Sequence, residues 1–198
     1  PGAADMIRYL SGKGISVTVG HTASKAEDVL AAFEAGADSV THIFNAMPSM
    51  HHRDPGPVGA SLSDENSFAE MICDFLHVDK LAVKAVIRAK GADHVAVITD
   101  SCEAAGMPDG TYALCGRAVY VVNGEARTLT GKLASSTVFM DRERLNISSL
   151  GFGAEILSKL LHETPLKAIH SDPAEKYAID RIYASIDGTG MACGTFYL

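Results

Sequence analysis

Short apolar runs rich in β-branched residues alternate along this chain with segments whose apolar positions recur at helical spacing. Residues 4–12 set Met6, Ile7, Tyr9 and Leu10 at that spacing, with Gly12 and Gly14 as stop signals. Residues 15–19 then read as a short buried strand. Ser24-Lys25-Ala26-Glu27 has the form of a capping box and predicts a helix carrying Val29, Leu30 and Phe33, closed by Gly36. A brief strand at 37–40 leads into a loop of Pro, His, Arg and Gly through Gly59. Residues 69–73 predict another strand, 78–90 a helix bearing Leu81, Val83, Val86 and Ile87, and 94–98 a further strand. Strands separated by helices in this way pair in parallel, so an α/β layer or barrel is expected.

The rhythm changes at 110–130. Three β-rich runs at 112–114, 118–122 and 126–129 replace it, and Asn123-Gly124 between the last two signals a type I′ hairpin. A helix is expected around 148–161. No repeat or defensible boundary divides the chain, so residues 1–198 are expected to form a single domain.

Composition narrows the function classes. A hydrophobic content of 47% over 198 residues is enough to bury one core and excludes a disordered chain. A net charge of -7 argues against nucleic acid or an anionic membrane surface as partner. No apolar run approaches a bilayer span and no leader pattern opens the chain, so a cytoplasmic protein is expected. Cys73, Cys102, Cys115 and Cys193 show no metal-ligand spacing and read as reduced thiols. Pro1-Gly2 leads directly into a helix without an initiator methionine, which reads as the back half of a longer protein.

The candidate chemistry sits where the predicted strands end. Gly20-His21-Thr22 follows residues 15–19, and Thr41-His42-Ile43-Phe44-Asn45-Ala46-Met47 follows 37–40. Leu76-His77-Val78 follows 69–73, and Thr99-Asp100 follows 95–98. Polar side chains at the carboxyl ends of successive parallel strands are the layout of a (β/α)-barrel active site. Neutral imidazoles at His21 and His42 on adjacent strand ends could share a metal ion, or could be half-buried histidines bonded to backbone. Asp100 ends an otherwise apolar run that reads as a buried strand, where an unpaired charge would be costly, so it reads either as a proton-transfer group beside a metal-activated water or as a cap of the next loop. His77 could hold a substrate hydroxyl or phosphate, or face solvent. Arg53, in a Gly- and Pro-rich loop, offers a guanidinium fork suited to phosphate, or a solvated surface charge.

Taken together, these strings resemble the N-acetylglucosamine-6-phosphate deacetylase family of metal-dependent amidohydrolases. The resemblance rests on Gly20-His21-Thr22, Thr41-His42 through Met47, Arg53-Asp54-Pro55-Gly56, Leu76-His77-Val78 and Thr99-Asp100. Gly131-Lys132-Leu133-Ala134-Ser135-Ser136 with Met140-Asp141-Arg142 looks like the family's later substrate-facing segment, in which Ala134 would face the substrate. The likeness runs from residue 1 to about 150 and corresponds to the second half of a family member. It implies a partial (β/α)8 TIM-type barrel with an inserted β-hairpin. It further implies hydrolysis of the acetamide of N-acetylglucosamine-6-phosphate to glucosamine-6-phosphate and acetate, in amino-sugar catabolism. His21 and His42 would be ligands of a divalent metal, zinc or alternatively iron, and Asp100 the catalytic acid and base. Asn45, Ala46, Arg53 and His77 would bind the sugar phosphate, with Arg53 reaching across a homodimer interface.

Several positions depart from the family pattern. The metal-ligating glutamate of a His-x-Glu-Gly-Pro string is missing, as are the β-sandwich domain and early barrel strands. Phe75 and Ser135 stand where glycine is usual, which predicts a narrower pocket. The family's closing Gly-Lys-x-Ala-Asp run is only shadowed by residues 185–190. Two alternatives stay open: an amidohydrolase acting on an unphosphorylated amide, and a catalytically incomplete fragment with a binding or structural role.

Overall fold

The computed structural model describes residues 2–171. Strands β1 Thr18–Val19, β2 Ser39–Val40, β3 Phe68–Met71 and β4 Val95–Val97 form one sheet in that order, every neighbour parallel. Helix α1 Ala3–Ser11 precedes them. Helices α2 Ala26–Glu34, α3 Gly56–Ser63 and α4 Lys80–Lys90 make the successive crossovers that parallel pairing requires. The chain is therefore α/β.

One face of the sheet is apolar and carries the helices. Ala69, Met71, Cys73, Val95 and Val97 are buried there with Ile43, Val58, Val83, Val86 and Ile87. Each buried Val, Ile or Met side chain among them stabilises the fold by about 1.5–3 kcal/mol relative to an exposed one. Val29 of α2 packs on Val40 in a neighbouring cluster. The alternation of strand side chains sends Ser39 and Glu70 to the other face, where the Ser39 hydroxyl donates to the Glu70 carboxylate at 3.0 Å. Among the described residues no helix is long and apolar enough to cross a membrane.

Several local expectations are corrected. Strand β1 is shorter than the apolar run at 15–19, because only Thr18 and Val19 face β2, and Ile15 is exposed. Helix α2 starts one residue later than Ser24 predicts. The Ser24 hydroxyl pairs with that of Thr22 at 2.7 Å, and Asp28 instead accepts from the Lys25 amide at 3.1 Å. Only half a capping box forms, since a lysine ammonium has no acceptor. The expected loop through Gly59 is helical from Gly56, with Pro55 and Pro57 presetting φ in the first turn, where a missing N–H is harmless.

The single inserted hairpin is instead a four-stranded antiparallel sheet. It comprises β5 Gly110–Leu114, β6 Arg117–Val122, β7 Glu125–Arg127 and β8 Leu133–Ser135. Asn123 and Gly124 have φ of 52° and 76°, as a type I′ turn requires, and Cys115 and Gly116 repeat the geometry at 49° and 77°. Val119, Val121 and Ala126 cover Ala104 beneath this sheet. Just past β8 the chain lies along the extension of β4: Ser136 bridges Ser101 in parallel, and its amide donates to the Asp100 carbonyl at 3.1 Å.

The helix expected at 148–161 is broken in two. Helix α5 Met140–Ser149 ends at Gly151, whose φ of 89° is the left-handed stop that glycine supplies. Helix α6 Ala154–Ser158, a π-turn over Lys159–Glu163 and helix α7 Thr164–Ala168 complete this region. Ile147, Leu150, Phe152, Ile156 and Leu160 all pack on the main core, so the apolar pattern runs straight across the break. The closing run expected at 185–190 and Cys193 lie outside the described residues.

Candidate active site

Four residues at or beyond the carboxyl ends of the parallel strands share a left-handed backbone: His21 at φ 47°, His42 at 31°, Phe75 at 67° and Asp100 at 47°. Such values are uncommon outside glycine, cost on the order of 1–3 kcal/mol each, and cluster where a side chain must be aimed. Phe75 occupies a conformation that glycine would adopt without strain.

Parallel register sets Val19 beside Val40, which carries His21 and His42 to adjacent strand ends. Gly20 permits the approach, because a Cβ there would lie 1.9 Å from Thr41 Cγ2. The two imidazole centroids are 5.7 Å apart, edge to face. His42 Nδ1 is buried without a hydrogen-bond partner, whereas His21 is exposed. An orphaned buried nitrogen is costly, and a cation would relieve it. Two imidazoles fit two positions of a metal's ligand set, and a catalytic zinc takes three protein ligands. Among the described residues no three His, Cys, Asp or Glu side chains converge on one point.

Glu70, absent from the predicted site, braces this end of β2. Its carboxylate accepts from the Thr41 hydroxyl at 2.6 Å and from Ser39, and its carbonyl accepts the Ile43 amide at 2.8 Å. Three bonds therefore fix the chain on both sides of His42. The available signal is a lone carboxylate inside an apolar strand.

The turn beyond His42 alternates in backbone handedness, with φ of 76° at Phe44 and 51° at Ala46. Asn45 donates from Nδ2 to the carbonyls of His42 and Ile43 at 3.2 and 3.3 Å. Arg53 is exposed in a tight turn bridged between His51 and Asp54, and one guanidinium nitrogen donates to His52 Nε2 at 2.7 Å.

His77 is held by Asp74. Asp74 Oδ2 lies 2.7 Å from His77 Nδ1, and Oδ1 accepts the amides of Leu76 and His77 at 2.9 and 2.8 Å. Burial pushes the Asp74 carboxyl up, but these bonds outweigh it and keep the pKa below the usual carboxylate value. Accepting from Nδ1–H leaves Nε2 as the free end of the imidazole.

Asp100 is less buried than the apolar run before it predicts. The strand before it is buried, but Asp100 itself is exposed, and its carboxylate has no hydrogen bond among the described residues. Its carbonyl is the anchored part, accepting from the Ser135 hydroxyl and the Ser136 amide. The cost of burying an unpaired charge therefore gives no argument for its role. Ala134, half-buried on β8, adjoins that anchor. The structure thus brings His21 to His42, and Ser135 and Ser136, next to Ala134 in the chain, to the Asp100 backbone, without joining Asp100 or His77 to the histidine pair. A cavity lined by Ser11, Leu30, Phe33, Asp38, Asp64 and Phe68 lies toward the opposite, amino-terminal end of β2 and β3.

A parallel sheet whose strand ends deliver a histidine pair, a carboxylate-held histidine and an aspartate defines an α/β protein of strand-end active-site type. No family model matches the chain. It is 37% identical over 188 residues to the N-acetylgalactosamine-6-phosphate deacetylase of Escherichia coli O157:H7, covering 93% of this chain and 47% of that relative. It is 44% identical over 146 residues to the N-acetylglucosamine-6-phosphate deacetylase of Vibrio furnissii, covering 74% and 36% respectively. Among solved structures it matches a mutant N-acetyl-D-glucosamine-6-phosphate deacetylase from Mycobacterium smegmatis, solved in complex with N-acetyl-D-glucosamine-6-phosphate. The TM-score is 0.82 at 32% identity, over 86% of this chain and 46% of that one. The chain belongs to the N-acetylglucosamine-6-phosphate deacetylase family. It spans about half or less of the length of these relatives.

Proposed function

We propose that this chain carries the carboxyl-terminal part of the catalytic barrel of an N-acetylglucosamine-6-phosphate deacetylase. The observation that carries the reading is the His21–His42 pair, 5.7 Å between centroids, with a buried and unpartnered His42 Nδ1. Strands β1 to β4 are then consecutive staves of a (β/α)8 barrel within one domain over 1–198. The remaining staves and a third metal ligand fall in the half of the relatives that this chain does not span.

His21 and His42 would hold a divalent cation, zinc in the first instance and iron as the other candidate. When bound, the cation supplies a water acidified to a pKa of roughly 7 and a Lewis acid for the acetamide carbonyl. Asp100, an exposed carboxylate on an anchored backbone, would serve as the proton acceptor for the attacking water and then as the donor to the leaving amine. The alternating handedness of His42 to Ala46 supports a phosphate contact at the Ala46 amide with the Asn45 side chain beside it, since the Asn45 amide already donates to the His42 carbonyl at 2.9 Å. Arg53 adds a charge-assisted contact to phosphate, reaching from the partner in a homodimer. His77 orients a sugar oxygen through Nε2, and Ala134 lines the sugar beside Asp100. Three free cysteines among the described residues suit the cytoplasm.

The test is acetate release from N-acetylglucosamine-6-phosphate and its galacto epimer, with metal quantified in the same samples. It is run on the 198-residue chain and on a form extended to the relatives' length. The extended form should deacetylate the gluco substrate and hold metal, whereas the chain alone should hold metal weakly and turn over little. Inactivity of the extended form on both sugars would refute the assignment, and a strong galacto preference would change the substrate.

A further inference from the structure

Strand β3 ends at Met71, so by Cys73 the main chain has left the ladder while remaining fully buried. Its N–H and C=O must find partners elsewhere. Helix α5 supplies both. Glu143 Oε2 accepts the Cys73 amide at 2.6 Å, and Asn146 Nδ2 donates to the Cys73 carbonyl at 2.9 Å. Positions three apart share one helix face, so a single face of α5 grips both polar groups of residue 73.

The turn that aims His77 begins at the very next residue. Asp74 binds the amides of Leu76 and His77 and the His77 ring, and Phe75 between them is left-handed at φ 67°. Strained turns persist when their surroundings over-determine them.

A carboxyl is an expensive way to cap one amide. Glu143 has no solvent exposure, its Oε1 has no partner, and it forms no ion pair among the described residues. Burial pushes its pKa up to about 8, opposed by the Cys73 amide and reinforced by the charge of Asp74. Asp74 and the Cys73 thiol are the titratable groups that face it.

We propose that Glu143 and Asn146 are positioning residues for His77, clamping Cys73 so that Asp74 holds the imidazole by Nδ1 and leaves Nε2 as its free end. The proposal rests on the reading of His77 as a substrate-orienting residue. Its test does not need activity. Nitrogen-detected NMR of the His77 ring should show a slowly exchanging Nδ1 proton shared with Asp74 and an unprotonated Nε2.

Glu143→Leu should abolish that proton signal, and Glu143→Gln, which keeps an oxygen for the Cys73 amide, should restore it. Asn146→Ala, at a half-buried position, should broaden or lose the signal in a protein that is folded by circular dichroism. An unchanged His77 signal in folded Glu143→Leu or in Asn146→Ala overturns the proposal. If Glu143→Leu does not fold, Asn146→Ala decides. In the extended form the same substitutions should lower kcat on the order of tenfold to a hundredfold, with rescue by Gln. An extended form inactive before any substitution would refute the deacetylase reading while leaving the NMR result to judge the clamp.

Discussion

Replacing Glu143 by glutamine should remove a pH dependence of stability built into the core. The carboxyl is fully buried and its pKa rises from 4.5 to about 8, chiefly through burial. Below pH 4.5 it is protonated in folded and unfolded chains alike and costs nothing extra. Between 4.5 and 8 the unfolded chain releases the proton and the folded chain retains it, so stability falls as pH rises. Above 8 both states are ionised and the loss levels off. At about 1.4 kcal/mol per pH unit, the full shift amounts to roughly 5 kcal/mol, of which about 4 falls between pH 5 and 9, a large part of the 5–15 kcal/mol typical of a whole domain. Glutamine cannot ionise, and its amide group replaces the protonated hydroxyl while its oxygen still accepts the Cys73 amide. Urea melts of both proteins from pH 5 to 9 isolate the effect, because groups remote from Glu143 cancel in the difference, while in the folded protein its two titratable neighbours hold one state over that range, Asp74 ionised and the Cys73 thiol protonated. With an m value of about 2 kcal/mol/M, the glutamine protein should gain roughly 2 M in midpoint over the wild type between those limits. A difference that stays flat within about 0.5 kcal/mol would show that the folded carboxyl ionises normally, and would refute the account of its burial.

The site itself yields three further expected outcomes. Asp100→Asn in the extended form should leave metal content unchanged while turnover falls by several orders of magnitude; equal loss of both would make Asp100 a ligand. Gly20→Ala places a Cβ 1.9 Å from Thr41 Cγ2 and should cost about 1–3 kcal/mol in a denaturant melt, with metal retention falling alongside. An unaltered melt would mean that the strands β1 and β2 yield without effort. Glu70→Gln should disturb Thr41 and Ser39 enough to weaken metal retention, read by dialysis against a chelator. Full retention would restrict Glu70 to the sheet.

Much of the catalytic outline is local and therefore legible. A β-branched run followed by a histidine or aspartate marks a strand end, and the alternation with helices makes the strands parallel. The Asn123-Gly124 turn is readable because both residues tolerate positive φ. Cys115-Gly116 makes the same turn with a less usual first residue, so the residue pattern reveals only part of the four-stranded insertion. Helix α3 is hidden by a Pro- and Gly-rich beginning of loop-like composition. The break at Gly151 is hidden because apolar side chains on both sides pack on one core.

The sequence by itself determined which residues stand at strand ends, because hydrophobic period and turn chemistry act over a few neighbours. It settled the α/β class and the likeness of the His21, His42, His77 and Asp100 strings to one enzyme family. Only tertiary structure decided distances and environments, since these depend on segments far apart in the chain. Register between β1 and β2 set the two imidazoles 5.7 Å apart. Strand pairing put Glu70 beneath Thr41, 29 residues away. Packing of α5 brought Glu143 to Cys73 across 70 residues, into a fully buried contact that changes the chemistry of its carboxyl. Asp100 shows the converse: an apolar run suggested burial, and the fold left its carboxylate in solvent.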